Sequence, residues 1–149
     1  EKRYWDNVSV KEAYTKYLET LYECVKIHND YDVLGHLTYV AKSPNNPTHE
    51  PLIYENYREI IDEILKEVIR RDKGIEINTS GIDRIGETLP SKRILERYKE
   101  LGGRIVTLGS DAHVPENVGR HFGAAIELIR DTVGTICTFE GRIPTFHKL

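Results

Sequence analysis

The sequence predicts an α/β protein: a parallel sheet with helices on its outside. Helical periods and short apolar runs alternate along the chain in the order α-β-α-β-α-β-α-β. Strands separated by helices of this length run parallel, because each connection must cross over the sheet. The chain has 149 residues, 39% hydrophobic and 30% charged, enough to bury a core within one ordinary domain. No internal repeat, low-complexity tract or domain boundary divides it, so residues 1–149 are expected to form one unit.

The first helix opens at Ser9, with Glu12 at capping-box spacing. Val10, Ala13, Tyr14, Tyr17, Leu18, Leu21 and Val25 recur at helical intervals within it. "DVLGHL", residues 32–37, reads as a short buried strand. "AKSPNNPTHEP" holds three prolines and reads as a loop, longer than a structureless connection usually is. "YENYREIIDEILKEVIRRD" restores the helical period through Tyr57, Ile60, Ile61, Ile64, Leu65, Val68 and Ile69. "GIEIN" is the second strand, followed by a long loop through "TSGIDRIGETLP". Ser91 caps the third helix, "KRILERYKEL", which Gly102 and Gly103 end. "RIVTLG" is the third strand. Pro115 starts a fourth helix with Val118, Phe122, Ala125, Ile126 and Ile129 on its apolar side, and "GTICTF" is a fourth strand, after which "EGRIPTFHKL" trails off.

Composition narrows the function. A net charge of −3 without a Lys/Arg block argues against nucleic-acid binding. No apolar run is long enough to span a bilayer, and "EKRYWDN" lacks signal-peptide features. Cys24 and Cys137 stand apart in apolar contexts and read as reduced core thiols, which places the protein in the cytoplasm. The absence of methionine reads as a processed protein or a piece of something longer.

Ligands of parallel α/β folds gather at the carboxyl ends of strands. The first strand ends at His36, the second at Asn78, and the third at Ser110, Asp111 and His113. Two imidazoles and a carboxylate on one rim suit zinc, manganese or iron. Each has a plainer use: His36 as a core histidine, Asp111 as the cap of the fourth helix, His113 as a loop residue. Their joint position at strand ends favours a site. Lys42, Arg84 and Arg120 stand close enough in sequence to supply positive charge for a phosphate, though each is equally at home as solvated charge. Ser110 offers a hydroxyl to the same anion. His28, His49, His121 and His147 read as surface or rim residues. Glu76 shares a strand face with Asn78 and needs a partner if buried; an ion pair is favoured over direct metal ligation.

"DVLGHL", "GIEINTSG", "TLPS", "LGGRIVTLGSDAHVPENVG" and the closing "TFEGRIPTFHKL", in this order, resemble histidinol-phosphatases of the PHP (polymerase and histidinol phosphatase) superfamily, over a stretch from about residue 10 to the end. The resemblance implies the C-terminal part of a distorted (β/α)7, TIM-like barrel. It implies a centre of two or three divalent ions that hydrolyses phosphate esters, with L-histidinol phosphate as the substrate. On this likeness His36 matches the histidine ligand after the "VLGH" strand, and Asp111 and His113 match an Asp-x-His pair that ligates two different ions. Asp111 and His36 then hold the attacking side, and His113 the ion nearest the phosphate or leaving group. Arg84, Lys42, Ser110 and Asn78 are the expected substrate contacts.

Two departures qualify the likeness. No His-x-His occurs, whereas relatives open with one on their first strand. Relatives usually carry an Arg soon after the Gly of "NTSG"; here Asp83 stands first and Arg84 next. The chain is thus expected to lack an N-terminal part of the barrel and most of the metal ligands, and to be inactive or nearly so alone. Its open sheet edges and uncovered inner face favour a homo-oligomer or pairing with the missing N-terminal half. The alternatives are a PHP phosphoesterase for a nucleotide or sugar phosphate, and a non-catalytic assembly module.

Overall fold

A computed structural model describes residues 4–149. The elements run α1 (Val10–Ile27), β1 (Val33–Leu34), α2 (Arg58–Arg70), β2 (Gly74–Asn78), α3 (Ile82–Ile85), α4 (Lys92–Glu100), β3 (Val106–Gly109), α5 (Phe122–Thr132), β4 (Thr135–Glu140) and β5 (Ile143–Lys148). Three strands form a parallel sheet in the order β1-β2-β3. Ile75 and Ile77 of the central strand are fully buried with Val106, Leu18, Ile61, Ile64, Leu65, Val68, Ile94 and Leu95. The alternate residues Gly74, Glu76 and Asn78 face the other way, by the two-residue period of a strand. The sheet therefore has an apolar helix-covered face and a polar inner face.

Local chemistry explains the helices. Ser9 accepts the Glu12 N–H while Glu12 takes the Ser9 N–H, so α1 starts at a complete capping box. α2 and α4 are joined through Asp62, a buried carboxylate on the core side of α2. It accepts from Tyr54 Oη at 2.8 Å and from both ends of the Arg97 fork at 3.0 and 2.7 Å. The proline loop is ordered around the buried Asn46, which donates to Ala41 O and Tyr14 Oη and accepts from the Thr48 N–H.

Several expectations change. The expected fourth parallel strand is β4, the first arm of an antiparallel hairpin with β5, outside the parallel sheet. Gly141 and Arg142 both have positive φ, which gives the turn the twist a two-residue hairpin needs. The segment expected to trail off is thus a strand, with Pro144 on it. β1 covers only Val33–Leu34 of the expected 32–37, because the chain turns out of extended backbone at His36. The loop after β2 contains α3. Pro115 begins only a single 3₁₀ turn; α5 starts at Phe122, and Val118 is 74% exposed instead of apolar-side. Cys137 is buried, but Cys24 lies on the solvent side of α1, so only one thiol is in the core; both are free. Among the described residues no helix is long and apolar enough to cross a membrane.

Arg97→Ala is expected to cost about 3 kcal/mol at neutral pH in urea unfolding, because it strips the fork from a buried carboxylate. The Arg97 hydrogen bonds hold the Asp62 carboxyl below its ordinary 3.8. A depressed folded value contributes stability above pH 3.8 and loses it as pH falls through the lower folded value. The gap between wild type and variant should therefore close on acidification; a gap independent of pH counts against the pairing.

Candidate active site

The carboxyl ends of the parallel strands open onto a cavity of about 900 Å³. His36, Asp111, His113, Lys42, Arg84, Ser80 and Asp83 contribute its polar lining, and Tyr39 and Pro44 its more apolar wall. His36 and Asp111 reach it through tight backbone turns: both have positive φ, +28° and +49°, where the chain leaves β1 and β3. Non-glycine residues adopt this conformation only when their surroundings hold them there.

The Asp111 carboxylate is gripped by Lys42, whose Nζ lies 2.5 Å from Asp111 Oδ2 and 2.5 Å from Ser80 Oγ. Burial pushes the Asp111 carboxyl up; the Lys42 hydrogen bond and charge, aided by His36 and His113, outweigh it and hold the carboxyl below its usual value. Ser80 Oγ donates in turn to Asn78 Oδ1 at 2.5 Å, and the Ser80 N–H donates to the same oxygen at 3.0 Å. That N–H fixes which end of the amide is oxygen, so Asn78 Nδ2 points at Glu76 Oε2, 3.0 Å away. Glu76 Oε2 therefore accepts from two amides, the His36 N–H and Asn78 Nδ2; among the described residues Glu76 has no ion-pair partner, which corrects the expected ion pair. Asn78, the other expected substrate contact, is 1% exposed and lies beneath the cavity lining, with its amide bonded to Glu76 and Ser80.

Arg84 is exposed at the rim, with Nη1 on Lys42 O at 2.9 Å. Ser110 borders a smaller adjoining pocket with Asp111; its Oγ accepts the Gly119 N–H at 3.2 Å, which leaves its own proton available to an anion. Arg120 lines this smaller pocket as well, bonded to Asp83 and Asn117, and His121 also bonds Asp83. Sequence reading missed Ser80 and Tyr39. The Asn-x-Ser spacing of an Asx turn was the available signal for Ser80; Tyr39 had none.

The donors suit a zinc-type ion in kind. His113 Nδ1 lies 2.8 Å from the Asp111 carbonyl, to which it must donate, so Nε2 carries the free lone pair. His36 Nδ1 is buried with no hydrogen-bond partner, an orphaned polar atom of the sort a ligand satisfies. In number they fall short: among the described residues no three or more His, Cys, Asp or Glu side chains converge on one ion position.

Parallel strands, outer helices and a polar cavity at the strand ends define an α/β protein with a ligand site at its sheet's carboxyl edge. The PHP domain model matches residues 1–80, and the chain belongs to that family. It is 33% identical over 144 residues to a probable histidinol-phosphatase of Clostridium acetobutylicum, covering 96% of this chain and 56% of that protein. It is 38% identical over 121 residues to one of Thermotoga maritima, covering 79% and 48%. The crystal structure of histidinol phosphate phosphatase from Lactococcus lactis, complexed with zinc, L-histidinol and phosphate, matches with a TM-score of 0.82 at 26% identity, over 95% of this chain and 54% of that one. The chain spans about half the length of the curated relatives it matches.

Lys42→Met keeps the apolar stem but leaves the Asp111 carboxylate and Ser80 hydroxyl without their ammonium. Urea unfolding should show a loss of about 1–3 kcal/mol. Unchanged stability would mean that Lys42 is a solvated side chain and does not organise the rim.

Proposed function

We propose that these residues form the C-terminal part of the active site of a metal-dependent phosphomonoesterase, and that its substrate is L-histidinol phosphate. The observation that carries this is the shared cavity: two imidazoles with uncommitted ring nitrogens and a carboxylate stand beside Lys42 and Arg84. Metal donors and phosphate-complementary cations on one strand-end rim suit phosphate-ester hydrolysis better than either set alone. The zinc, L-histidinol and phosphate bound by the Lactococcus lactis protein support both the ion and the substrate.

His36, Asp111 and His113 hold the ions in this reading, with zinc, manganese or iron(II) as candidates. When bound, the ions supply positive charge that ionises water near neutral pH and neutralises phosphoryl oxygens. Lys42 and Arg84 add cationic charge on the phosphate side, and the free Ser110 proton donates to an oxyanion. Tyr39 and Pro44 give the organic group of the ester an apolar wall. Because the described donors do not converge on one ion position, further ligands come from polypeptide outside these elements, either the relatives' other half or a second copy.

Release of phosphate from L-histidinol phosphate, a nucleoside monophosphate and an aryl phosphate tests the assignment. Residues 1–149 alone should turn over little or nothing; within a polypeptide of the relatives' full length they should favour L-histidinol phosphate. Asp111→Asn should then lower kcat about 10²–10³-fold. Equal rates on all three esters would point to a broader phosphoesterase.

The half-buried inner face bears on assembly. Light scattering of residues 1–149 should report a dimer or larger species, and a stable monomer would rule out the second copy as the missing cover.

A further inference from the structure

We propose that Glu76, which lines no part of the cavity, is the positioning residue for both strand-end groups. It sets the backbone at His36 directly and orients Asp111 through a chain of hydrogen bonds. The placement of Glu76 stands independently of the phosphatase reading; only what the positioned groups do rests on it.

Glu76 sits on the inner face of the central strand, between the two strands whose ends carry the site. Its Oε2 accepts the His36 N–H at 2.9 Å. His36, two residues past the end of β1, has left-handed backbone, so this bond ties the turn to the neighbouring strand and aims the imidazole into the cavity. The same oxygen accepts Asn78 Nδ2, and from there Ser80 and Lys42 lead to Asp111 Oδ2. Every donor in that chain points towards Glu76: ammonium to hydroxyl, hydroxyl to amide oxygen, amide N–H to carboxylate. Reversing any member would place two donors or two acceptors face to face, so the orientation of the chain is set by its two ends.

Gly109 is shaped to Glu76. A Cβ on Gly109 would lie 1.9 Å from Glu76 Oε1 and 2.8 Å from its Cδ, whereas one on Gly35 would lie at an ordinary contact distance of 3.5 Å from Oε2. Gly109 does not have positive φ, so conformational freedom does not explain it. It is glycine because the carboxylate occupies the space where its side chain would be. The residue after Ser110 is Asp111, so the same close packing fixes the exit of β3.

NMR of the 149-residue chain decides between positioning and filling. Glu76→Gln conserves volume and one acceptor oxygen, which can take both donors at the Oε2 position. Glu76→Leu conserves volume alone. The His36 amide proton should lie downfield in wild type, move partway upfield in Glu76→Gln and move fully in Glu76→Leu. Zinc, added as the free ion and followed through the imidazole nitrogens, should perturb His36 and His113 in wild type. In Glu76→Leu the His36 response should weaken roughly 10–100-fold, with Glu76→Gln close to wild type. His113, held by the Asp111 carbonyl, should change less. If Glu76→Leu fails to fold, Gly109→Ala decides: it should displace the His36 amide signal in the Glu76 background and much less when combined with Glu76→Ala. A His36 amide and zinc response indifferent to these substitutions overturns the proposal. If zinc perturbs neither histidine in wild type, the metallohydrolase reading fails, while the amide shifts still judge Glu76.

Discussion

A carboxylate on the inner face of the central strand, without a cation against it, must be satisfied by hydrogen-bond donors, and the rest of the site depends on how that is done. Glu76 draws on the backbone N–H of His36 and the side-chain amide of Asn78. Leaving such a group unsatisfied costs about 1–3 kcal/mol, more if charged, so the surrounding chain is constrained to present those donors. One donor lies at the end of β1. The other starts the relay that reaches Lys42 and Asp111. Both halves of the rim thus refer to one side chain that is not itself in the cavity.

That constraint also accounts for the backbone. His36 and Asp111 both leave their strands in left-handed conformation, at a cost of about 1–3 kcal/mol each for non-glycine residues. At His36 the Glu76 hydrogen bond offsets the strain; at Asp111 the side chain is held by Lys42, which is itself anchored on the Ser80 hydroxyl. An ordinary strand continued past these points would alternate its side chains between core and inner face. The sharp exit instead turns them along the strand axis, into the cavity at the carboxyl edge.

The sequence made legible what local chemistry and period encode. Ser9 and Glu12 announce α1, "GIEIN" announces β2, and the acid and imidazole after β3 stand out because they follow a buried strand. Tertiary context hid the rest. The Gly141–Arg142 turn lacks the Asn-Gly signature of a tight hairpin, so β5 read as a tail and β4 as a parallel strand. Val118 fits the helical spacing, but the chain between Asn117 and His121 is bent, and α5 begins only at Phe122. Cys24 sits among apolar residues in sequence yet on the outer side of the helix. Asn78 stands out because it ends a strand; that its amide bonds Glu76 below and Ser80 above follows only from the pairing of β2 with its neighbours.

Preorganisation and metal capture are separable in this architecture. Every link that orients His36, Asp111 and His113 — Glu76, Asn78, Ser80, Lys42 and the Asp111 carbonyl — comes from within the described residues, so the rim is self-supporting. Convergence on an ion is a different matter, because a tightly held divalent cation needs about four ligands around one point. The described donors are spread over two strand ends and a loop, without three meeting anywhere. A pre-aimed imidazole with a buried, unpartnered nitrogen and a carboxylate already neutralised by Lys42 lower the reorganisation that the proposed ion binding, completed by further donors, would require. The lysine also keeps Asp111 from standing uncompensated, so the ammonium assigned to phosphate in the proposed site also stabilises the fold without it.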